Sequence, residues 1–127
     1  MLNVLVVDDS VIIRRTLTTK LEEMGYTVVA QAKSGKEAVL LYKEHIPDLV
    51  TMDITMPIMN GIEALKKIIK EHSDAKIIMV TSHGEEHLVM EAITNGARGY
   101  ILKPVNNEQL TIVINKVFPE LEHIKYL

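Results

Sequence analysis

Five short runs of apolar, mostly β-branched residues alternate with amphipathic segments, and no other feature of this chain limits its possible folds so strongly. Each run is almost continuously apolar, which is typical of a parallel strand covered on both faces. The segments between the runs carry apolar residues at helical spacing. Five strand–helix units with right-handed crossovers predict an α/β fold with a doubly wound five-stranded parallel sheet. The runs are residues 4–7, 27–30, 49–52, 77–80 and 100–102.

Residues at the ends of the helical segments indicate where the helices begin and end. Gly25 follows the first apolar stripe and predicts a C-terminal cap there. Ser34 with Glu37, and Asn60 with Glu63, have the spacing of capping boxes and predict the first turns of the second and third helices. Apolar spacing predicts the fourth and fifth helices, which include residues 89–96 and 110–117.

The composition narrows the class of protein. With 127 residues, 47% of them hydrophobic and 24% charged, the chain has the size and balance of one globular domain. A net charge of −3 argues against nucleic-acid binding, and the lack of cysteine excludes disulfides, thiolate metal sites and cysteine nucleophiles. No run is long enough for a membrane span and no basic leader is present, so we expect a cytoplasmic protein. We expect one domain over residues 1–118 and a short tail or linker stub over 119–127.

Polar residues follow four of the five predicted strands. Asp8 and Asp9 follow the first strand, Asp53 the third, Thr81 the fourth and Lys103 the fifth. Open parallel sheets bind ligands at the carboxyl ends of their strands, so we expect these side chains to converge at one edge. Three carboxylates placed together repel one another unless a cation is present, and Mg²⁺ prefers carboxylate oxygens with room for phosphate oxygens. The sequence therefore predicts a magnesium site that can accept a phosphoryl group.

Asp53 is the best candidate for a nucleophile, because it stands alone on the central strand between the acidic pair and Thr81 and Lys103. A carboxylate in such a site can attack phosphorus and form an aspartyl phosphate, with Lys103 supplying positive charge. Each of these residues alone fits an ordinary turn or helix cap. Their occurrence together at one edge favours chemistry.

Other phosphate-binding folds lack their signatures in this chain. The turn after the first strand holds two aspartates and Ser10 where a dinucleotide site needs glycines, and a flavin site fails for the same reason. A P-loop is absent. Thr55 stands where haloacid-dehalogenase-type phosphatases have a second aspartate, two residues after the nucleophile.

The motif residues resemble those of the receiver domains of two-component response regulators, with the single-domain, CheY-like regulators of chemotaxis as the closest type. CheY is itself a standard example of the flavodoxin-like strand order 2-1-3-4-5, so the resemblance implies that order with five helices. The resemblance covers roughly residues 2 to 118. It rests on Asp8-Asp9, Asp53 with Met56-Pro57 and Gly61, Thr81-Ser82, Tyr100 and Lys103-Pro104.

The resemblance implies a phosphoprotein with a Mg²⁺ cofactor. Asp53 would accept a phosphoryl group from a histidine kinase or a phosphotransfer protein, and Lys103 would contact the phosphoryl oxygens. Asp8, Asp9, Asp53 and the backbone carbonyl of Thr55 would hold the metal, and the peptide bond after Lys103 would be cis. Such a domain catalyses only its own phosphorylation and dephosphorylation, so we do not expect an enzyme.

The resemblance also implies a switch and an output surface. Thr81 would move toward the phosphoryl group, and Tyr100 would turn inward behind it. The fourth helix, fifth strand and fifth helix, roughly residues 85–118, would then bind a downstream target protein as a monomer or a phosphorylation-dependent dimer. Thr55 and His83 occupy positions that tune the lifetime of the phosphate in receivers. We expect no direct contact with nucleic acid or a membrane.

Alternative functions remain open from the sequence. One is a Mg²⁺-dependent phosphohydrolase that uses the same aspartyl phosphate, although no insertion is long enough to build a cap over the site. Another is the receiver part of a truncated transcriptional regulator. A phosphorylation-independent scaffold is disfavoured by the complete acceptor set. His83 and His87 have the spacing of a metal pair but no third ligand, and Arg14 and Arg15 fit a solvated helix face.

Overall fold

The computed structural model describes residues 2–121 and has one parallel sheet surrounded by helices. The elements alternate along the chain as β1 (Asn3–Val7), α1 (Val11–Glu23), β2 (Thr27–Ala32), α2 (Gly35–His45), β3 (Leu49–Asp53), α3 (Gly61–Glu71), β4 (Ile77–Thr81), α4 (Glu86–Thr94), β5 (Gly99–Leu102) and α5 (Asn107–Val117). The strand order is β2-β1-β3-β4-β5, which confirms the doubly wound fold. Of the expected tail over 119–127, residues 119–121 are helical and the rest lies outside the described residues.

The burial of the strands follows their place in the sheet. Every residue of β3 and β4 is buried, because both strands have neighbours on each side and helices on each face. Most residues of β2 and β5 are half-buried or exposed, although their sequences are as apolar as those of the central strands. The difference follows from the edge positions of β2 and β5, which a continuous apolar run does not reveal.

Two hydrophobic cores lie on opposite faces of the sheet. On one face, Leu65 and Ile68 of α3 pack with Met52 of β3. On the other face, Leu17 of α1 and Ile114 of α5 pack against the sheet. Each described helix turns its apolar stripe toward the sheet, and none of them has the length and apolar character needed to cross a membrane.

Most of the predicted helix ends are confirmed, but α4 ends at Thr94, two residues before the end of the predicted fourth helix. Asn60 and Glu63 form a reciprocal capping box, in which the Glu63 N–H donates to Asn60 Oδ1 at 2.9 Å and the Asn60 N–H donates to Glu63 Oε1 at 3.2 Å. Gly25 follows α1 with a φ of 92°, a conformation that glycine adopts at low cost. The predicted capping box of Ser34 and Glu37 forms only in part. The Ser34 hydroxyl accepts from the Glu37 N–H, but the Glu37 carboxylate accepts from the Lys33 N–H instead of the Ser34 N–H.

Candidate functional site

Three carboxylates meet at the carboxyl edge of the sheet. The parallel pairing of β1 with β3 places Asp8, the residue after β1, beside Asp53, the last residue of β3. One oxygen from each of Asp8, Asp9 and Asp53 lies within 4.8 Å of the others. Asp8 and Asp53 are buried while Asp9 is exposed. Within residues 2–121 this is the one group of three or more potential metal ligands so close together.

Lys103 brings a positive charge to the two buried carboxylates. Its Nζ lies 3.1 Å from Asp8 Oδ2 and 3.3 Å from Asp53 Oδ1, and its side chain is 21% exposed. Lys103 follows β5, and the Lys103–Pro104 peptide bond is cis, as the resemblance implies. Burial alone would lower the pKa of the ammonium group, but the charges of Asp53 and Asp8 outweigh it and raise that pKa. Lys103 is therefore charged at neutral pH.

The Asp53 carboxyl is electrostatically unusual. Burial raises its pKa most, and the negative charge of Asp8 raises it further. Lys103 lowers the pKa in part, and the result is a pKa of about 7 compared with an ordinary value of 3.8. A carboxylate destabilised in this way gains from any added positive charge.

The donor set fits a hard divalent cation. Asp8 Oδ1 accepts a hydrogen bond from the Ser10 N–H at 2.9 Å. Asp8 Oδ2 is buried and has no hydrogen-bond donor among the described residues. The Lys103 ammonium is 3.1 Å from this oxygen, close enough for an ion pair, but it lacks the alignment of a hydrogen bond. Buried carboxylate oxygens with free lone pairs are the ligands that Mg²⁺ prefers.

Gly61 allows α3 to begin directly against the carboxyl end of β3. Its N–H donates to the Ile54 carbonyl at 2.7 Å, and a Cβ at this position would overlap the backbone carbonyl of Asp53. A side chain here would push α3 away from the strand end. The glycine therefore supports the position of Asp53.

Glu85 connects two loops beside the site. The Thr81 hydroxyl donates to Glu85 Oε1 at 2.9 Å, and the Ser82 N–H donates to the same oxygen at 2.7 Å. The exposed Thr55, in the loop between β3 and α3, donates its hydroxyl to Glu85 Oε2 at 2.5 Å. Burial alone would raise the pKa of Glu85, but the hydrogen bonds from Thr55, Ser82 and Thr81 lower it. The group is an ionised acceptor at neutral pH.

Thr81 also lines an apolar groove on the neighbouring surface. The groove has a volume of about 260 Å³ between α4 and β5, and its walls include Val89, Met90 and Leu102. Tyr100 lines the same groove with its side chain turned outward and is 48% exposed. Thr81 therefore lies both at the edge of the sheet that carries the three carboxylates and in the wall of the groove.

The sequence interpretation missed two residues at this edge. Glu85 enters the sequence-based prediction only as the first residue of the output surface, although an acidic side chain four residues after Thr81 is a signal that points to it. Arg14 is not simply a solvated side chain, because its Nη1 donates to the Asp8 carbonyl at 2.7 Å. His83 and His87 are exposed, and the described residues place no third metal ligand beside them.

Comparisons with known proteins agree with this fold and site. The model of the response regulator receiver domain matches residues 4–115. The chemotaxis protein CheY of Thermotoga maritima is 46% identical over 114 residues, which cover 90% of this chain and 95% of that protein. CheY of Bacillus subtilis is 46% identical over 113 residues, or 89% of this chain and 94% of the relative.

A solved structure extends the likeness to three dimensions. The CheY in a CheX–CheY–BeF₃–Mg complex from Borrelia burgdorferi is 39% identical, with a TM-score of 0.88 over 92% of this chain and 89% of that one. The chain belongs to the response regulator receiver domain family of two-component signalling. Within that family it is similar to the chemotaxis regulator CheY.

Proposed function

We propose that residues 1–118 form a phosphorylation-activated switch, in which Asp53 accepts a phosphoryl group from a histidine kinase or a phosphotransfer protein. The observation that carries the proposal is the cluster of Asp8, Asp9 and Asp53 within 4.8 Å, with the Lys103 ammonium 3.3 Å from the proposed acceptor. CheY-like relatives at 46% identity support the same role.

The chain's own groups divide the work of phosphoryl transfer. An Asp53 carboxylate oxygen forms a bond to phosphorus as the bond from phosphorus to the donor histidine breaks. Asp8, Asp9, Asp53 and the Thr55 backbone carbonyl would hold Mg²⁺, which when bound supplies charge neutralisation and polarises the phosphoryl oxygens. Lys103 stabilises the phosphoryl oxygens from the side of β5, where its ammonium already lies.

The switch depends on contacts that exist only after phosphorylation. Thr81 donates its hydroxyl to a phosphoryl oxygen, and Lys103 pairs with another. Shifting a population from mostly inactive to mostly active takes about 5 kcal/mol of preference. One charge-assisted hydrogen bond and one ion pair supply about 1.5–3 kcal/mol each, which is the required order of magnitude.

The output face is the one built by α4, β5 and α5. Thr81 lines the groove between α4 and β5, so a movement of its side chain changes the groove wall directly. Tyr100, now exposed, turns inward behind Thr81 and alters the surface presented to the target protein. Thr55, two residues after Asp53, and His83, two residues after Thr81, tune how long the phosphate lasts.

The test is phosphorylation by a small donor. The protein is incubated with Mg²⁺ and acetyl phosphate, and its intact mass is measured. We expect one phosphoryl increment per chain. Asp53→Asn and a chelator-treated sample are the controls, and both must lack the increment. An increment that survives in Asp53→Asn contradicts the assignment of the acceptor, and rapid multiple turnover of the donor favours a phosphohydrolase.

A further inference from the structure

The N-terminus of α4 differs from those of the other long helices. Ser10, Ser34, Asn60 and Asn106 each cap a helix by accepting a hydrogen bond from the backbone N–H three residues later. Glu85 occupies the corresponding position before α4 and makes no such bond. Its half-buried carboxylate instead turns back toward the loops beside Asp53.

The Glu85 carboxylate accepts the hydrogen bond of the hydroxyl group that the switch needs. A threonine hydroxyl carries a single proton and donates one strong hydrogen bond at a time. The Thr81 hydroxyl is 2.9 Å from Glu85 Oε1 and 3.4 Å from the Ser82 carbonyl, so the Glu85 carboxylate is its main acceptor. A phosphoryl group on Asp53 must therefore compete with Glu85 for this donor.

The other two bonds hold Glu85 in place for that competition. The Ser82 N–H and the Thr55 hydroxyl lie 2.7 Å and 2.5 Å from the carboxylate and fix it from two separate loops. Charge-assisted bonds of this kind are about twice as strong as neutral ones. Glu85 thus links the loops after β3 and β4, and one of its bonds is to Thr81, the residue that the switch must move.

We propose that Glu85 is a positioning residue that holds Thr81 in the unphosphorylated arrangement and must release it when Asp53 is phosphorylated. This inference rests on the proposed function. Removing the carboxylate frees the Thr81 hydroxyl in advance, so the phosphorylated arrangement forms with less competition. A phosphoryl mimic should then bind more tightly, although no residue in contact with it has changed.

The test uses beryllofluoride with Mg²⁺ as the probe, and its affinity is measured by titration calorimetry. Glu85→Ala should bind about tenfold more tightly than the wild type, the equivalent of one net hydrogen bond. Glu85→Gln keeps the size of the side chain, should show a smaller gain, and replaces the alanine variant if that protein does not fold. Glu86→Ala removes the same charge from the adjacent exposed residue and should stay within about twofold of the wild type.

The same Glu85 substitutions, made in a Thr81→Ala variant, separate hydrogen-bond competition from simple charge repulsion. In Thr81→Ala, removal of the Glu85 carboxylate should change the affinity by less than about twofold, because there is no hydroxyl left to release. A gain that persists in this background, or an unchanged or weaker affinity of both Glu85 variants, overturns the inference. Absence of Mg²⁺-dependent binding by the wild type contradicts the proposed function itself, and the inference with it.

Discussion

Neutralising Asp53 should stabilise the metal-free protein. The side chain is 7% exposed, and burial with the charge of Asp8 raises its pKa to about 7. The folded state therefore holds a proton on Asp53 more tightly than the unfolded chain does, and ionisation favours unfolding. Asp53→Asn keeps the shape of the side chain and removes this penalty.

The size and pH dependence of the effect follow from the two pKa values. A shift from 3.8 to about 7 is about three units, or about 4 kcal/mol at 1.36 kcal/mol per unit. Well below pH 4 the carboxyl is protonated in both states and the penalty vanishes. Between pH 4 and 7 the stability of the wild type falls as the pH rises, and above pH 7 the loss is complete. We expect Asp53→Asn to be more stable than the wild type by about 2 kcal/mol at pH 5 and about 4 kcal/mol at pH 8.

Urea unfolding with chelator present, at pH 5 and pH 8, measures this difference as a shift in midpoint. Asp74→Asn is the matched control, because Asp74 is exposed and lies away from the strand ends that carry the site. The control should change the free energy of unfolding by less than about 0.5 kcal/mol. Equal stability of Asp53→Asn and wild type at pH 8, or a gain that does not grow between the two pH values, would show that the buried Asp53 carboxylate does not destabilise the folded protein.

Three further predictions address the metal, the helix contact and the switch. Mg²⁺ at 100 times its Kd should stabilise the wild type by about 2.7 kcal/mol in thermal unfolding. The stabilisation of Asp53→Asn should be smaller, and equal effects on the two proteins would argue against Asp53 as a ligand. Gly61→Ala should lower the free energy of unfolding in urea by about 3 kcal/mol, because its Cβ would overlap the Asp53 carbonyl. Gly84→Ala is the control and should lower it by about 1 kcal/mol, because its Cβ meets open space and only the φ of 92° is unfavourable. Similar losses in the two variants would contradict the contact. Thr81→Ala should accept acetyl phosphate normally yet gain less target affinity on phosphorylation, while Thr81→Ser retains the response; full response in Thr81→Ala would disprove the switch role.

The sequence was sufficient for features set by local patterns and by topology. The Asn60–Glu63 box and the turn at Gly25 depend on neighbouring residues only, and both are present. Convergence of Asp8 with Asp53 depends on strand direction, since the ends of parallel neighbours must share an edge. These predictions required no knowledge of side-chain conformation.

Features that depend on side-chain direction were beyond the sequence. The Glu37 carboxylate reaches Lys33 instead of closing its box, and the Glu85 carboxylate turns away from its own helix toward Thr81. In both cases the folded geometry of the loops determines which nearby donors the carboxylate accepts from. Arg14 likewise reaches the Asp8 carbonyl because α1 begins beside that loop, so its spacing alone fitted a solvated face.

The location of the phosphoryl group shows whether Asp53 is the acceptor. The protein is treated with acetyl phosphate and Mg²⁺, reduced with borohydride to convert an aspartyl phosphate to homoserine, and mapped by peptide mass spectrometry. We predict homoserine at position 53 and at no other aspartate, dependent on Mg²⁺. Homoserine at Asp8 or Asp9, or a stable phosphate on a serine, threonine or histidine with Asp53 unchanged, would contradict the account.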